Sequence, residues 1–191
     1  MISLDILTIG ELTRDADGNV LEAHSTSTLV RAGGLNIVVD TSSPDRRPHL
    51  KTSFRQLGVL PRDVDVVVLT HSHHDHVGNN DMFAKAEILI HAGEETEIAG
   101  ARIVREDIVL TEGVRLVHTP GHTPGSMSVF IEADRRYAIA GDAIPLKDNH
   151  LQGKPPRYSH DSALALESLK KITDYADMVI PGHDRPFMTG R

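Results

Sequence analysis

Cysteine and tryptophan are absent from this 191-residue sequence, and aromatic residues make up only 4% of it. Without cysteine there can be no disulfide, no cysteine-ligated zinc or iron–sulfur cluster and no thiol nucleophile. The sequence also lacks Gly-x-Ser-x-Gly, the turn that presents a nucleophilic serine in α/β-hydrolases. Catalytic chemistry in this chain must therefore use other side chains or a metal.

The charge balance and the hydropathy pattern limit the expected partners. Acidic residues outnumber basic ones by 27 to 20, and the net charge of −7 disfavours nucleic acid, although a local basic patch would still permit it. No apolar run approaches the roughly 18 residues of a membrane span, and the N-terminus lacks the basic region of a signal peptide. We expect a cytoplasmic protein without a membrane partner that acts on a small molecule, and a homodimer is compatible with the composition.

No repeat, low-complexity tract or linker divides the sequence, so residues 1–191 are predicted to form a single domain. Three segments have helical periodicity or helix boundary signals: residues 46–57, 79–85 and 161–172. The last of these is expected to pack through Leu164, Leu166, Leu169 and Ile172. Short apolar runs predict strands at residues 3–9, 25–30, 35–40, 64–70, 87–91, 114–118, 126–132, 137–140 and 178–180. Asp17-Gly18 predicts a hairpin turn between the first two strands.

A histidine-rich cluster, His71-Ser72-His73-His74-Asp75-His76, directly follows predicted strand 64–70. Alternate residues of a strand point the same way, so His71 and His73 can face one point while Asp75 and His76 turn towards a neighbouring one. Imidazole and carboxylate ligands suit zinc, and also iron or manganese. The alternative is a solvated histidine-rich loop, but the spacing favours a metal site.

Three later motifs place the same residue types in turns after predicted strands. His122 lies in Thr-Pro-Gly-His-Thr-Pro-Gly, Asp142 follows Ala-Gly, and His183 lies in Pro-Gly-His-Asp. Each motif alone is typical of a surface turn. Together with the cluster they predict one site, because strand ends present their loops at one edge of an α/β scaffold.

In this order the motifs resemble the metallo-β-lactamase superfamily, and Val38-Val39-Asp40-Thr41 is similar to its first motif. The resemblance implies an α/β fold, an αββα sandwich with two metal ions at one edge. It implies seven ligands: His71, His73 and His122 for one ion, Asp75, His76 and His183 for the other, and Asp142 bridging both. Asp40 would lie behind them and orient a histidine by hydrogen bonding.

The resemblance also implies a hydrolase. Two divalent ions, expected to be Zn²⁺ although Fe or Mn would suit the ligands, would share a hydroxide that attacks an ester, thioester, lactone or phosphoester. Asp75 is the expected catalytic residue, which would orient the hydroxide or pass a proton.

Two other activities stay open. Stretches such as residues 25–30 and 181–187 are similar to metallo-β-lactamase domain-containing protein 1-like proteins, which implies a single-strand RNA endonuclease. Persulfide dioxygenases of the same superfamily would instead use one iron, here at His71, His122 and Asp142.

Residues 147–160 form a long segment without predicted regular structure. On an acidic protein they hold only one acid, and they include Lys154, Arg157, Tyr158 and His160. Arg157 could bind a carboxylate or phosphate, Lys154 could add a charge, and Tyr158 or His160 could donate to a developing oxyanion. We treat these four as candidate substrate-binding residues; the alternative is a solvated connection to the following helix.

Overall fold

The computed structural model describes residues 1–95 and 98–190 and builds them into two β-sheets with helices outside. The helices are Arg47–Leu57 (α1), His74–Val77 (α2), Lys147–Gln152 (α3) and Ser162–Tyr175 (α4). The strands are Ser3–Thr8 (β1), Glu11–Arg14 (β2), Val20–His24 (β3), Ser27–Ala32 (β4), Leu35–Val39 (β5), Val66–Val68 (β6), Glu87–His91 (β7), Arg102–Val104 (β8), Ile108–Thr111 (β9), Val114–His118 (β10), Met127–Glu132 (β11), Arg136–Gly141 (β12), Met178–Pro181 (β13) and Phe187–Met188 (β14).

The strand order brings the loops of both sheets to one edge. The first sheet has the order β1-β4-β5-β6-β7-β8, the second has the order β14-β13-β12-β11-β10-β9, and β2 pairs with β3 as a separate hairpin. Strands β5 to β8 are parallel, and so are β12 and β13. Parallel neighbours end at the same side of a sheet, which is where ligands bind in α/β folds.

Apolar side chains hold the four layers together. Val68 of the first sheet and Leu116 and Ile139 of the second lie in the buried cluster between the sheets. Phe54 of α1 packs on the outer face of the first sheet, and Ile172 of α4 packs on the second. This is the αββα sandwich that the sequence resemblance implied.

Both long helices form where predicted, but the buried face of α4 differs. Asp161 caps α4 by accepting from the amides of Ala163 and Leu164. Leu164 and Leu166 were expected in the core, yet each is 40% exposed. The small residues Ala165 and Ser168 are buried instead, against the Pro120-Gly121 turn after β10, while the predicted Leu169 and Ile172 pack on the sheet. No helix in the described part of the chain has the length and apolarity to cross a membrane.

Several short elements were not predicted. Asp17-Gly18 turns the β2–β3 hairpin and does not connect β1 to β4, so the prediction of its neighbours was wrong. Strands β8, β9 and β14 are two to four residues long, too short for alternation to be recognised. Such strands are fixed by pairing with the rest of the sheet.

The expectation that residues 147–160 lack regular structure is also wrong at their start, where α3 forms. Asn149 Oδ1 accepts from the Leu146 amide at 3.2 Å, and Gly153 ends the helix in the left-handed region at φ 58°. Six residues with little apolar periodicity give no helical signal in the sequence, so local capping decides the structure.

Candidate metal centre

The candidate ligands lie on loops that leave the sheets at the common edge. Residues 71–76 follow β6, His122 follows β10, Asp142 follows β12 and His183 follows β13. Because β6 ends at Val68, strand alternation does not align His71 with His73, and that part of the prediction is wrong. A bend brings the two rings to 4.6 Å between centroids, and α2 then turns the following residues inwards.

Three histidines form what we call the first ligand group: His71, His73 and His122. The Nδ1 atom of His73 lies 3.0 Å from His71 Nε2 and 3.0 Å from His122 Nε2. The ligand atoms of this group all lie within 4.8 Å of one another. Three imidazole nitrogens that converge in this way can hold a divalent cation.

The second ligand group consists of Asp75, His76 and His183. His183 Nε2 lies 3.4 Å from His76 Nε2 and 3.5 Å from Asp75 Oδ2. The ligand atoms again lie within 4.8 Å of one another, and all three residues are buried. A mixed imidazole and carboxylate set suits the same class of cation.

Asp142 lies between the two groups. Its Oδ1 is 3.2 Å from His183 Nε2 and 3.4 Å from His76 Nε2, while its Oδ2 is 3.6 Å from His122 Nε2. Each carboxylate oxygen therefore faces a different ligand group.

Hydrogen bonds on the outer sides of the rings determine which nitrogen is free to bind a metal. His76 Nδ1 donates to Asp40 Oδ2 at 2.7 Å, His122 Nδ1 to the Tyr158 carbonyl at 2.7 Å, and His183 Nδ1 to the His24 carbonyl at 2.9 Å. With the proton on Nδ1, the lone pair of Nε2 points inwards. The residues present therefore fit the binding of divalent metal.

Asp40 supports this arrangement from behind the ligands. Its Oδ1 accepts from the Thr70 amide at 2.7 Å, and its Oδ2 accepts from the Thr70 hydroxyl at 2.8 Å as well as from His76. Asp40 is buried and has a left-handed backbone at φ 57°, which non-glycine residues seldom adopt. The structure thus places Asp40 where the sequence expected it, one hydrogen bond behind a candidate ligand.

The charged groups of the centre shift the pKa values of one another in opposite directions. Burial lowers the pKa of His76, but the carboxylates of Asp40 and Asp142 outweigh burial and raise it well above the usual value. Burial raises the pKa of Asp142, but His183 and His76 outweigh that and hold it well below its usual range. Burial and the neighbouring His76 hold the pKa of His71 low. The metal-free centre therefore favours positive charge beside Asp142, and a metal cation can supply that charge.

Two cavities flank the centre. The smaller one, about 210 Å³, lies beside the first ligand group and is lined by Ser72, His73, Glu94, Glu95, His122, Thr123, Pro124 and His160. The larger one, about 640 Å³, lies beside His183 and is lined by residues 9–13 of the β2 hairpin, by Leu146 and Asp148 at α3, and by Asp184 and Arg185. A substrate can therefore approach the centre from two sides.

The four candidate substrate-binding residues lie at different distances from the centre. His160 lines the smaller cavity, and its amide donates to the His122 carbonyl. Tyr158 holds His122 through its carbonyl, while its ring lies 5.1 Å from the Arg14 guanidinium. The guanidinium of Arg157 lies close to Gly18 in the hairpin turn. Lys154 follows α3, and its carbonyl accepts a hydrogen bond from the Asn149 side chain within that helix. Neither Lys154 nor Arg157 is among the described lining residues of the two cavities, and substrate binding by the four residues stays a prediction.

Sequence reasoning missed three residues that support the ligands: Thr70, Glu94 and Gly182. Thr70 connects Asp40 to His71, whose Nδ1 lies 3.1 Å from the Thr70 hydroxyl. Gly182 stands directly before His183, and a methyl group there would lie 2.0 Å from Asp142 Oδ1. The Pro-Gly-His motif contained a signal for Gly182, since a glycine beside a candidate ligand often permits a close approach.

Gly182→Ala should therefore displace the Asp142 carboxylate and reduce both metal content and activity. The overlap at 2.0 Å involves the side chain that faces both ligand groups, so we expect roughly a 100-fold loss of kcat/KM, about 2.7 kcal/mol. Steady-state kinetics with metal analysis would measure it. Because the two residues act together, the Asp142→Ala, Gly182→Ala double variant should be no worse than Asp142→Ala alone. Additive losses would contradict the steric explanation.

The sequence matches the metallo-beta-lactamase superfamily over residues 21–102 and 98–183, which is most of the chain. The chain therefore belongs to the metallo-β-lactamase superfamily, and it is a metal-dependent hydrolase of that superfamily.

Three curated relatives are similar to this chain over most of its length. The chain is 38% identical over 185 residues to a Methanocaldococcus jannaschii protein named "Probable metallo-hydrolase", covering 96% of this chain and 87% of that protein. It is 32% identical to metallo-beta-lactamase domain-containing protein 1 of Xenopus laevis, covering 92% and 77%. It is 30% identical to an N-acyl homoserine lactonase of Bacillus cereus, covering 87% and 84%. The similarity to metallo-β-lactamase domain-containing protein 1-like proteins that the sequence indicated is confirmed.

Proposed function

We propose that the chain is a dinuclear zinc hydrolase that cleaves a small neutral carbonyl substrate, an ester, a thioester or a lactone. The observation that carries the proposal is the position of Asp142, whose Oδ1 faces the second ligand group and whose Oδ2 faces the first. When bound, two divalent ions would supply a Lewis acid and would activate water near neutral pH.

The chain's own residues would position this chemistry. Asp142 would hold both ions in one fixed relation through its two oxygens. Asp75, which is buried and 3.5 Å from His183, would orient the attacking water and accept its proton. No side-chain nucleophile is required, which agrees with the absence of cysteine and of Gly-x-Ser-x-Gly.

The cavity walls favour a neutral acyl substrate over RNA. Glu94 and Glu95 line the smaller cavity, and Glu11, Asp148 and Asp184 line the larger one, where Arg185 is the one arginine or lysine among the described lining residues. A wall rich in carboxylates repels a phosphodiester backbone, which needs several cationic contacts. The lactonase relative, whose substrate is a neutral cyclic ester, supports the same choice.

A substrate panel tests this proposal. Zinc-loaded protein should hydrolyse at least one of a set of thioesters, aryl esters and N-acyl homoserine lactones, and chelator-treated protein should not. The zinc-loaded protein should leave single-stranded RNA intact, and protein loaded with Fe²⁺ should consume no oxygen with a persulfide. RNA cleavage without acyl hydrolysis would establish the nuclease alternative, and oxygen uptake with one bound iron would establish the dioxygenase alternative.

Zinc affinity should fall steeply as the pH is lowered. Five of the proposed ligands are histidines, and a metal binds imidazole only in its neutral form, so protons compete below an ordinary pKa of about 6.5. Competition should begin above that value at His76, whose pKa is raised by Asp40 and Asp142 despite burial. Equilibrium dialysis between pH 8 and 5 would measure the zinc retained. Unchanged zinc content at about pH 5 would contradict binding through these histidines.

A further inference from the structure

Glu94 joins two loops that are distant in sequence. Its Oε2 accepts from the Ser72 amide at 2.8 Å and from the Ser72 hydroxyl at 2.6 Å, and its Oε1 accepts from the Thr123 hydroxyl. Glu94 follows β7, which lies between β6 and β10 in the order of the chain. One carboxylate therefore connects the loop after β6 to the loop after β10.

The two residues that Glu94 binds are neighbours of every member of the first ligand group. Ser72 lies between His71 and His73, and Thr123 follows His122. The second ligand group is supported by other atoms: Asp40 holds His76, and the His24 carbonyl holds His183. The Glu94 contacts therefore concern only one of the two groups.

The surrounding backbone leaves Glu94 little freedom. A methyl group on Gly125 would lie 2.6 Å from the Glu94 amide nitrogen and 2.7 Å from its Oε1. A methyl group on Gly93 would lie 2.9 Å from the Gly125 amide nitrogen. Close packing of residues 93–94 against residues 124–125 therefore restricts the side chain to the position that reaches Ser72 and Thr123.

We propose that Glu94 is a positioning residue that sets the affinity of the first ligand group for its metal ion. This inference rests on the proposed function, since it assumes that this group holds one of the two ions. Residues behind the direct ligands typically change metal affinity by about 10- to 100-fold when they are removed. Glu94 would act in this way through two loops at once.

Metal release from Glu94→Ala tests the inference. Zinc transfer to a chromophoric chelator should show two phases in wild-type protein, which His73→Ala and His183→Ala assign to the first and second ligand groups. Glu94→Ala should lower the zinc affinity of the first phase by about 10- to 100-fold and leave the zinc affinity of the second phase unchanged. Glu95→Ala is the matched control: Glu95 lines the same cavity, and its substitution should leave both phases at wild-type affinity.

Rescue separates positioning from general damage. Glu94→Gln should recover part of the lost affinity, because its carbonyl oxygen can still accept from the amide and hydroxyl of Ser72. Thr123→Val removes the hydrogen bond from the Thr123 hydroxyl to Glu94, and it should lower the zinc affinity of the first phase less than Glu94→Ala does. Thermal unfolding of the metal-free variants checks that the chain remains folded.

The outcomes for the two proposals differ. Wild-type affinity in both phases of Glu94→Ala, or equal weakening of both, would overturn the role of Glu94 and leave the dinuclear proposal intact. A single bound ion in wild-type protein would overturn the dinuclear proposal. The positioning role of Glu94 would then survive only if Glu94→Ala lowered the affinity of the protein for that one ion.

Discussion

Asp142→Ala should lose roughly 1,000-fold or more in kcat/KM, about 4 kcal/mol of transition-state stabilisation. The expected loss is large because Asp142 directs one carboxylate oxygen to each of the two ligand groups. Without it, the two ions lose their shared ligand, and the neighbouring imidazoles lose the negative charge beside them. Kinetics with zinc analysis of the same sample would measure both effects.

Two companion variants make this prediction specific. Asp142→Asn keeps the shape of the side chain but removes its charge, so we expect most of the same loss. Asp174→Ala removes an exposed carboxylate on α4 and should retain wild-type kinetics. If Asp142→Ala kept two zinc ions and near-normal turnover, the bridging role would be wrong.

Asp40→Ala should lower both stability and metal affinity. It leaves the Thr70 amide, the Thr70 hydroxyl and His76 Nδ1 without their acceptor in a buried place. Each unsatisfied buried group costs about 1–3 kcal/mol, so we expect a decrease of about 3 kcal/mol or more in the free energy of unfolding. Zinc affinity should fall by about 10- to 100-fold as His76 loses its orientation.

Asp40→Asn distinguishes these two effects. In this variant the oxygen of the new amide side chain would face the Thr70 amide, and its NH₂ group would face His76 Nδ1. His76 Nδ1 would then have to accept a hydrogen bond, so the ring proton of His76 would move to Nε2. The variant should therefore retain more stability than Asp40→Ala, measured by denaturant unfolding, yet still lose zinc affinity. Wild-type zinc binding by Asp40→Asn would show that Asp40 does not set the His76 tautomer.

Local motifs predicted the residues that converge at the centre, because each lies in a turn directly after a strand. The cluster at residues 71–76 and the turns at His122 and His183 needed no tertiary information beyond the common edge of the sheets. The reason expected for the approach of His71 to His73 was wrong. A bend after β6, and not the alternation of side chains along a strand, brings the two rings together.

Tertiary contacts explain what the sequence did not reveal. Glu94 binds residues 22 and 29 positions away, and no spacing in the sequence connects it with them. Arg157 was named as a candidate substrate-binding residue from the sequence, and the structure places its guanidinium against Gly18, in a predicted turn whose flanking strands β2 and β3 were not predicted. Residues whose roles depend on which loops pack together cannot be found from local pattern alone.

Anomalous diffraction at the zinc edge from crystals of the zinc-loaded chain would test the central claim most directly. The account predicts two peaks about 3.5–4 Å apart, one among His71, His73 and His122 and the other among Asp75, His76 and His183, with one Asp142 oxygen at each. A single metal peak bound by His71, His122 and Asp142 would contradict it.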